Sequence, residues 1–350
     1  MGLERREAGG FVSKPDVLEG VSNVVLRALG GTGAVLCYHG VSTAQDPAAG
    51  TMHVERDDLV GTLTALRDTY RIVSLVELLQ RYQAGRSTKG LLAISFDDAY
   101  ATVGSLGSTL RTLGIPISIF PVGDAAAEGG TFWWDRVEDV FPHVAPDRWR
   151  EFEEVCGVPE EYRRGQPEEF GPLRPLRQWV LAGYQGRWPE RLAPALADLE
   201  RDAKRSTVQR SMTWTEIEQL ARQTEVHVGV HTLSHPVLPL LPDAEVQREI
   251  AGCFAMVSER SSSSVPILAA PYGLADTRVV RLAQAAGMVS TLSVSGTALG
   301  KRGSLEWVPR ICMTAGLPPW RLKLRLAGVG DGRWRQSGQG AFPALPSAST

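Results

Sequence analysis

Several large protein classes are excluded by what this chain has little of. Its 350 residues hold only four cysteines, Cys37, Cys156, Cys253 and Cys312, widely scattered and with no Cys-x-x-Cys pair. That spacing argues against a disulfide framework and fits buried free thiols in a reducing compartment. There is no excess of either charge: 37 basic side chains face 39 acidic ones, which speaks against a protein that binds nucleic acid or another polyanion through bulk charge. No apolar run is long enough to span a bilayer. The first residues carry Glu4, Arg5, Arg6 and Glu7, and the apolar run from Val21 is interrupted by Arg27 and glycines, unlike a signal peptide. The expectation is a cytoplasmic protein with no membrane span; the oligomeric state is not readable. No internal repeat is visible.

What is present is alternation. Strand-like runs are expected at Ala34–Tyr38, Ile72-Val73, Leu91–Asp98, Ile115–Val122, Val226–Val230, Ile267-Leu268, Val289–Val294 and Trp307–Ile311. Between them lie helical patterns at Asp57–Tyr70, from a Ser74 N-cap through Tyr82, at Val103–Leu113, from near Thr215, at Asp243–Glu259 and at Thr277–Ala286. This order predicts βα units and a parallel sheet, with ligands gathered at the carboxyl ends of the strands. Residues 131 to about 210 break the rhythm with a Trp-, Arg-, Glu- and Pro-rich stretch expected to be a helical insertion. Residues 1–30 read as an arm with one short helix near Val21–Leu29. Leu322–Leu326 reads as an edge strand or terminal helix, and the chain from about 328 as a disordered tail, leaving 31–327 as the folded unit.

The chemistry collects at the expected strand ends. His231-Thr232-Leu233-Ser234-His235 follows the run Val226–Val230, and two imidazoles four positions apart can converge on one divalent ion. Pro236 disfavours helix at His235 and places the pair on a loop. Leu91 to Phe96 ends in Asp97-Asp98, whose side chains leave an extended chain in opposite directions. One can complete a two-His-one-carboxylate metal site, and the other can take a proton from a water. Each half alone could be a solvated turn or a pair of core histidines; together they are much more specific. His39 ends the first strand. Trp133 and Trp134 follow a strand end closely and are candidates for a wall on which a sugar ring stacks, whereas the other tryptophans of the insertion are expected to pack its core. His53, His143 and His227 are expected to be structural, His227 as a satisfied core histidine.

Three motifs in this order, Ser95-Phe96-Asp97-Asp98, His231-Thr232-Leu233-Ser234-His235 and Pro271-Tyr272-Gly273, resemble those of the polysaccharide deacetylases of the NodB-homology group, carbohydrate esterase family 4. Tyr38-His39-Gly40-Val41 and Phe132-Trp133-Trp134-Asp135 resemble the subgroup found in glycan-biosynthesis clusters. The likeness runs from about Val35 to Met313. It implies an α/β fold, a distorted (β/α) barrel of about seven parallel strands. It further implies Asp98, His231 and His235 as ligands of Zn²⁺ (with Co²⁺ or Ni²⁺ as alternatives), Asp97 as general base, the Tyr272 backbone N–H as an oxyanion donor, and Pro271 and Tyr272 at the substrate. The implied substrate is an N-acetylated sugar or glycan intermediate.

The chain departs from that pattern at three places. Ala269 stands where the family usually has an Arg that orients the base, Ala99 stands for the Gly after the aspartates, and no His follows His235 to serve as acid. Arg310, on a late strand, is a candidate to stand near Asp97. His39 is a candidate proton donor, with a structural histidine bonded to a carboxylate as the equal alternative. The departures keep two other functions open: hydrolysis of a formamide or cyclic amide at the same metal site, and a non-catalytic glycan-binding relative.

Overall fold

The computed structural model describes residues 32–43, 50, 52–163, 173–204, 209–294, 296–299, 304–317, 322, 325 and 326. The arm expected at 1–30 and the tail from 328 lie outside these residues. The described strands are β1 (Ala34–Tyr38), β2 (Gly40–Ser42), β3 (His53–Glu55), β4 (Arg71–Ile72), β5 (Leu91–Asp97), β6 (Ile117–Phe120), β7 (Val226–Val230), β8 (Ser264–Ala269), β9 (Ser290–Val294) and β10 (Val308–Cys312).

Seven of them close on themselves in the order β1-β10-β9-β8-β7-β6-β5, with β5 returning to β1. Every pairing in the ring is parallel. This is the (β/α) barrel expected from the alternation. The two-residue β4 pairs only with the start of β5, and β2 and β3 form a small separate sheet. That sheet is absent from the sequence reading because three-residue strands carry no usable period.

Local chemistry explains the element boundaries. Glu55 caps helix Arg56–Arg67 by accepting from the Asp57 and Asp58 N–H groups, and Leu59, Leu63 and Leu66 are its buried stripe. Ser74 caps Leu75–Gln83 as expected, and Thr213 with Glu216 makes a reciprocal capping box at Trp214–Gln223. The single helix expected at 103–113 is instead two, Ala101–Gly104 and Gly107–Leu113. The break falls at weak helix formers where the chain presses on a neighbour: a Cβ at Gly107 would meet Gln223 Oε1 at 2.3 Å. The strand expected at 115–122 shortens to Ile117–Phe120, because Pro116 and Pro121 cannot donate to the ladder. Of the expected 322–326 element, Leu322, Arg325 and Leu326 are helical.

Alternation along the strands separates two sets of side chains. Leu36, Leu92, Ile94 and Phe96 pack with the surrounding helices in the large core, whereas Val35, Ala93, Ala269, Leu292 and Val308 share a second core with the helix Leu75–Gln83. The second set continues towards the carboxyl ends as Cys37 on β1, Ser95 and Asp97 on β5, and Arg310 on β10. The sequence period therefore delivers a polar cluster to the top of an apolar barrel interior. Between β6 and β7, helices Trp133–Val140, Pro146–Cys156, Arg174–Gly183 and Ala193–Asp202 form the expected insertion. It has its own core, which includes Trp149, Phe152, Trp179 and Leu196, and Arg136 clamps Glu200 bidentately at 2.8 and 2.9 Å to tie its first helix to its last.

Candidate active site

Asp97 ends β5 and is held by one arginine. Arg310 Nη1 donates to Asp97 Oδ1 and Nη2 to Oδ2, both at 2.7 Å, and Arg310 is fully buried. A planar guanidinium facing both carboxylate oxygens fixes the carboxyl plane as well as its charge. The small inward neighbours leave room for it: Ala269 is on β8, and Ser95 Oγ accepts from Nη1 at 3.4 Å. Cys37 donates its thiol to Asp97 Oδ2 at 3.4 Å. Burial alone would raise the Asp97 pKa, but the Arg310 charge, with His231 and the guanidinium hydrogen bonds, outweighs it and holds the carboxyl well below the usual carboxylate range.

Asp98 turns the other way. Its Oδ1 lies 3.4 Å from His231 Nε2 and 3.5 Å from His235 Nε2, and it is buried without a hydrogen-bond partner. One ligand atom from each of the three residues falls within 4.8 Å of the others. His231 Nδ1 is bonded to the Ala269 carbonyl oxygen at 2.7 Å, which orients the ring and leaves Nε2 facing Asp98. Burial pushes His235 down to about 3, so its imidazole is neutral and able to ligate. An orphaned buried carboxylate oxygen and two aimed imidazole nitrogens fit a divalent ion of the zinc type.

Backbone strain gathers at the same place. Of the seven non-glycine residues with positive φ among those described, five are Asp98, Ala99, Thr232, His235 and Tyr272. Left-handed backbone costs about 1–2 kcal/mol per ordinary residue, and it persists where the surroundings over-determine it. Ala99, at φ 51° and fully buried, sits where a glycine would be unstrained. The Thr232 hydroxyl accepts from the His235 N–H at 3.0 Å and closes the ligand loop.

Above these groups lies a cavity of about 270 Å³. Its floor includes His39, Asp97, Asp98, His231 and His235, and its sides include Trp133, Trp134, Tyr100, Tyr272, Arg177 and Leu181. The Trp134 ring lies 4.8 Å from that of His235 and stacks on Phe132 at 4.7 Å. Its Nε1 donates to the Tyr100 hydroxyl at 2.9 Å, Tyr100 donates to Asp135 Oδ2 at 2.6 Å, and Asp135 Oδ1 is 2.9 Å from His53 Nε2.

The positions singled out by sequence separate as follows. Asp97, Asp98, His231, His235, His39, Tyr272, Trp133 and Trp134 all line the cavity, and Arg310 lies directly beneath it on Asp97. Pro271 does not line it: the residue is buried at the start of the turn and shapes it without facing the space. His39 Nδ1 is buried without a partner, so the carboxylate-bonded alternative for that atom is not what the structure has, and burial lowers the His39 pKa. His227 is half-buried with Nδ1 unpartnered and is therefore not a satisfied core histidine. His53 is structural, but its carboxylate partner is the one that fixes the Trp134 wall. Tyr100, Arg177, Leu181 and Asp135 were not anticipated. Asp135 alone left a trace, as the last residue of Phe132-Trp133-Trp134-Asp135.

Residues 185–290 match the family model described as polysaccharide deacetylase, a segment that holds both histidines and Tyr272 but not Asp97, Asp98 or Arg310. No curated protein matches the chain. Among solved structures, IcaB from Ammonifex degensii is similar at 17% identity over 90% of this chain and 98% of its own, with a TM-score of 0.51. The Streptococcus pyogenes deacetylase PplD, in complex with acetate, is similar at 10% identity over 84% and 97%, with a TM-score of 0.53. A polysaccharide deacetylase from Bacillus cereus is similar at 12% identity over 84% and 68%, with a TM-score of 0.54. At these identities the likeness is one of fold. Residues 185–290 are thus similar to the polysaccharide deacetylase family, and around that segment the chain has the barrel shared with those structures.

Proposed function

We propose that the chain is a metal-dependent hydrolase that removes an N-acetyl group from an amino sugar or glycan intermediate. The observation that carries the proposal is the division of labour between adjacent carboxylates, Asp98 with its Oδ1 between two imidazoles and outside any arginine clamp, Asp97 clamped by Arg310. Asp98, His231 and His235 would hold the ion. A divalent ion there would polarise the amide carbonyl and make a water more acidic.

The residues of the chain supply the rest. Held low by Arg310, Asp97 is ionised at any working pH but is a weak base, so it can take a proton only from a water already made acidic. That demand ties the two carboxylates into one mechanism. The Tyr272 backbone N–H would donate to the carbonyl oxygen as negative charge develops, a role supported by the residue's place in the cavity lining. The departing amine needs a proton, and His39 is the proposed carrier: it has a ligand atom within 4.8 Å of one of Asp97's and its Nδ1 is uncommitted. Burial lowers its pKa and so favours the neutral ring, which would take up the proton that Asp97 passes on. A cytoplasmic site of action belongs to the proposal and is supported by four buried free thiols.

The test is identification of the acid released from N-acetylated, N-formylated and cyclic amide sugars by protein stripped of metal and then resupplied with Zn²⁺ or Co²⁺. Metal-dependent acetate is the expected product. Formate or a ring-opened product alone would move the function to another amide, and metal binding with no product would leave a glycan-binding protein.

A further inference from the structure

The walls of the cavity carry information about the substrate beyond its amide. Their aromatic groups spend their polar atoms on the protein. Trp133 Nε1 and the Tyr272 hydroxyl both donate to one acceptor, the Gly186 carbonyl, at 3.0 and 2.9 Å, while Trp134 Nε1 and the Tyr100 hydroxyl are used in the chain that ends at His53. These side chains therefore offer ring faces and apolar edges to whatever enters, suited to the C–H faces of one sugar ring.

The shared acceptor also joins two adjacent parts of the wall that come from different segments of the chain. Trp133 belongs to the insertion and Tyr272 to the loop after β8, and Gly186 bridges them so closely that a Cβ there would meet the Tyr272 ring at 2.8 Å. Gly186 is left-handed, at φ 82°, as glycine readily is. Its neighbours anchor it to the ligand loop. The Val237 N–H donates to the Gln185 carbonyl at 2.7 Å, and Arg187 donates to Ser234 Oγ at 2.9 Å and to Glu249 Oε1 at 2.7 Å. Glu249 in turn accepts from the Ser234 N–H at 2.9 Å. The bridge is built into the same hydrogen-bond set that holds the histidine loop, so this side of the wall is fixed and closed between Trp133 and Tyr272.

The floor is deep as well as walled. Asp98, His231 and His235 are only 3%, 1% and 7% exposed. A cavity of about 270 Å³ lies just under the range of roughly 300–1,000 Å³ that holds drug-sized ligands, a volume suited to a small group entering from outside. An interior unit of a polymer needs an exit on both sides of the reacting amide; a terminal unit needs one.

We infer that the enzyme takes its substrate end-on: it acts on an N-acetylated monosaccharide conjugate or on the terminal unit of a short glycan, and discriminates against interior units. This rests on the deacetylase function proposed above. The test uses the metal-loaded full chain and two glucosamine trisaccharides, one N-acetylated only at a terminal unit and one only at the middle unit, with N-acetylglucosamine methyl glycoside as a third compound. Acetate release from the terminal or monomeric acetamide should exceed that from the middle unit by about tenfold or more in kcat/KM. Trp133→Ala, which removes one side of the bridge, should reduce that ratio to about threefold or less, with Tyr272→Phe, which removes the other donor to Gly186, as the substitute if that variant does not fold. Equal or faster release from the middle unit would overturn the end-on reading and leave the deacetylase function standing. No acetate from any of the three compounds, with metal bound, would overturn the deacetylase function and this inference with it.

Discussion

The floor and the walls of the cavity are built on different principles. The floor comes from the carboxyl ends of barrel strands, and each charged group in it answers another: Arg310 on Asp97, two imidazoles on Asp98, left-handed backbone at Asp98, His235 and Tyr272. The walls come largely from the insertion and its contacts, and their aromatic side chains bond their polar atoms to the protein. In the proposed function the floor supplies the hydrolysis, and the walls select which amide reaches it.

Substitutions can sharpen that division, and the largest effects belong to the floor. His231→Ala or Asp98→Asn should remove bound metal and activity together, measured by metal analysis and product release. Asp97→Asn should keep the metal and lose about 10²–10⁴ in turnover. Arg310→Leu should destabilise the fold by about 3–5 kcal/mol, because it leaves Asp97 buried and unpaired. The pH dependence has a definite sign. A carboxyl held low in the folded state contributes stability that is fully present above its unfolded value, about 3.9, and lost as pH falls below it. The stability gap between the parent and Arg310→Leu should therefore be wide at pH 6 and narrow progressively towards pH 3 in denaturant melts.

Smaller effects are expected in the walls. Asp135→Asn or His53→Gln should cost about 1–3 kcal/mol of stability through an unsatisfied buried partner, and raise KM more than they lower kcat, with metal content unchanged. Trp133→Phe keeps a ring and loses only the N–H to Gly186, so a change of about 0.5–1.5 kcal/mol is expected. If Trp133→Phe lowered metal content as much as Asp98→Asn, floor and walls would not be separable.

The same division sets how much could be read from sequence. Strands, caps and the three motifs are local patterns, so the barrel and Asp97, Asp98, His231 and His235 were visible in the residues themselves. Arg310 was nameable only as a charge missing from Ala269 and regained on a late strand; that the two share the barrel interior depends on closure of β5 through β1 to β10. The walls were mostly hidden. Tyr100, Gly186, Leu181 and Arg177 come from segments with no common period, and their placement follows from how an irregular insertion packs. Short elements misled for related reasons: the split at Gly104–Gly107 reflects a contact with Gln223 that no local pattern contains.

One measurement bears most directly on the paired roles of the two aspartates: metal stoichiometry and acetate release determined on the same preparations of the parent, Asp97→Asn and Asp98→Asn chains. The expected result is one divalent ion per chain in the parent and in Asp97→Asn, little or none in Asp98→Asn, and product from the parent alone. Turnover by Asp97→Asn near the parent rate, or equal metal content in all three, would contradict the assignment of base and ligand to these adjacent carboxylates.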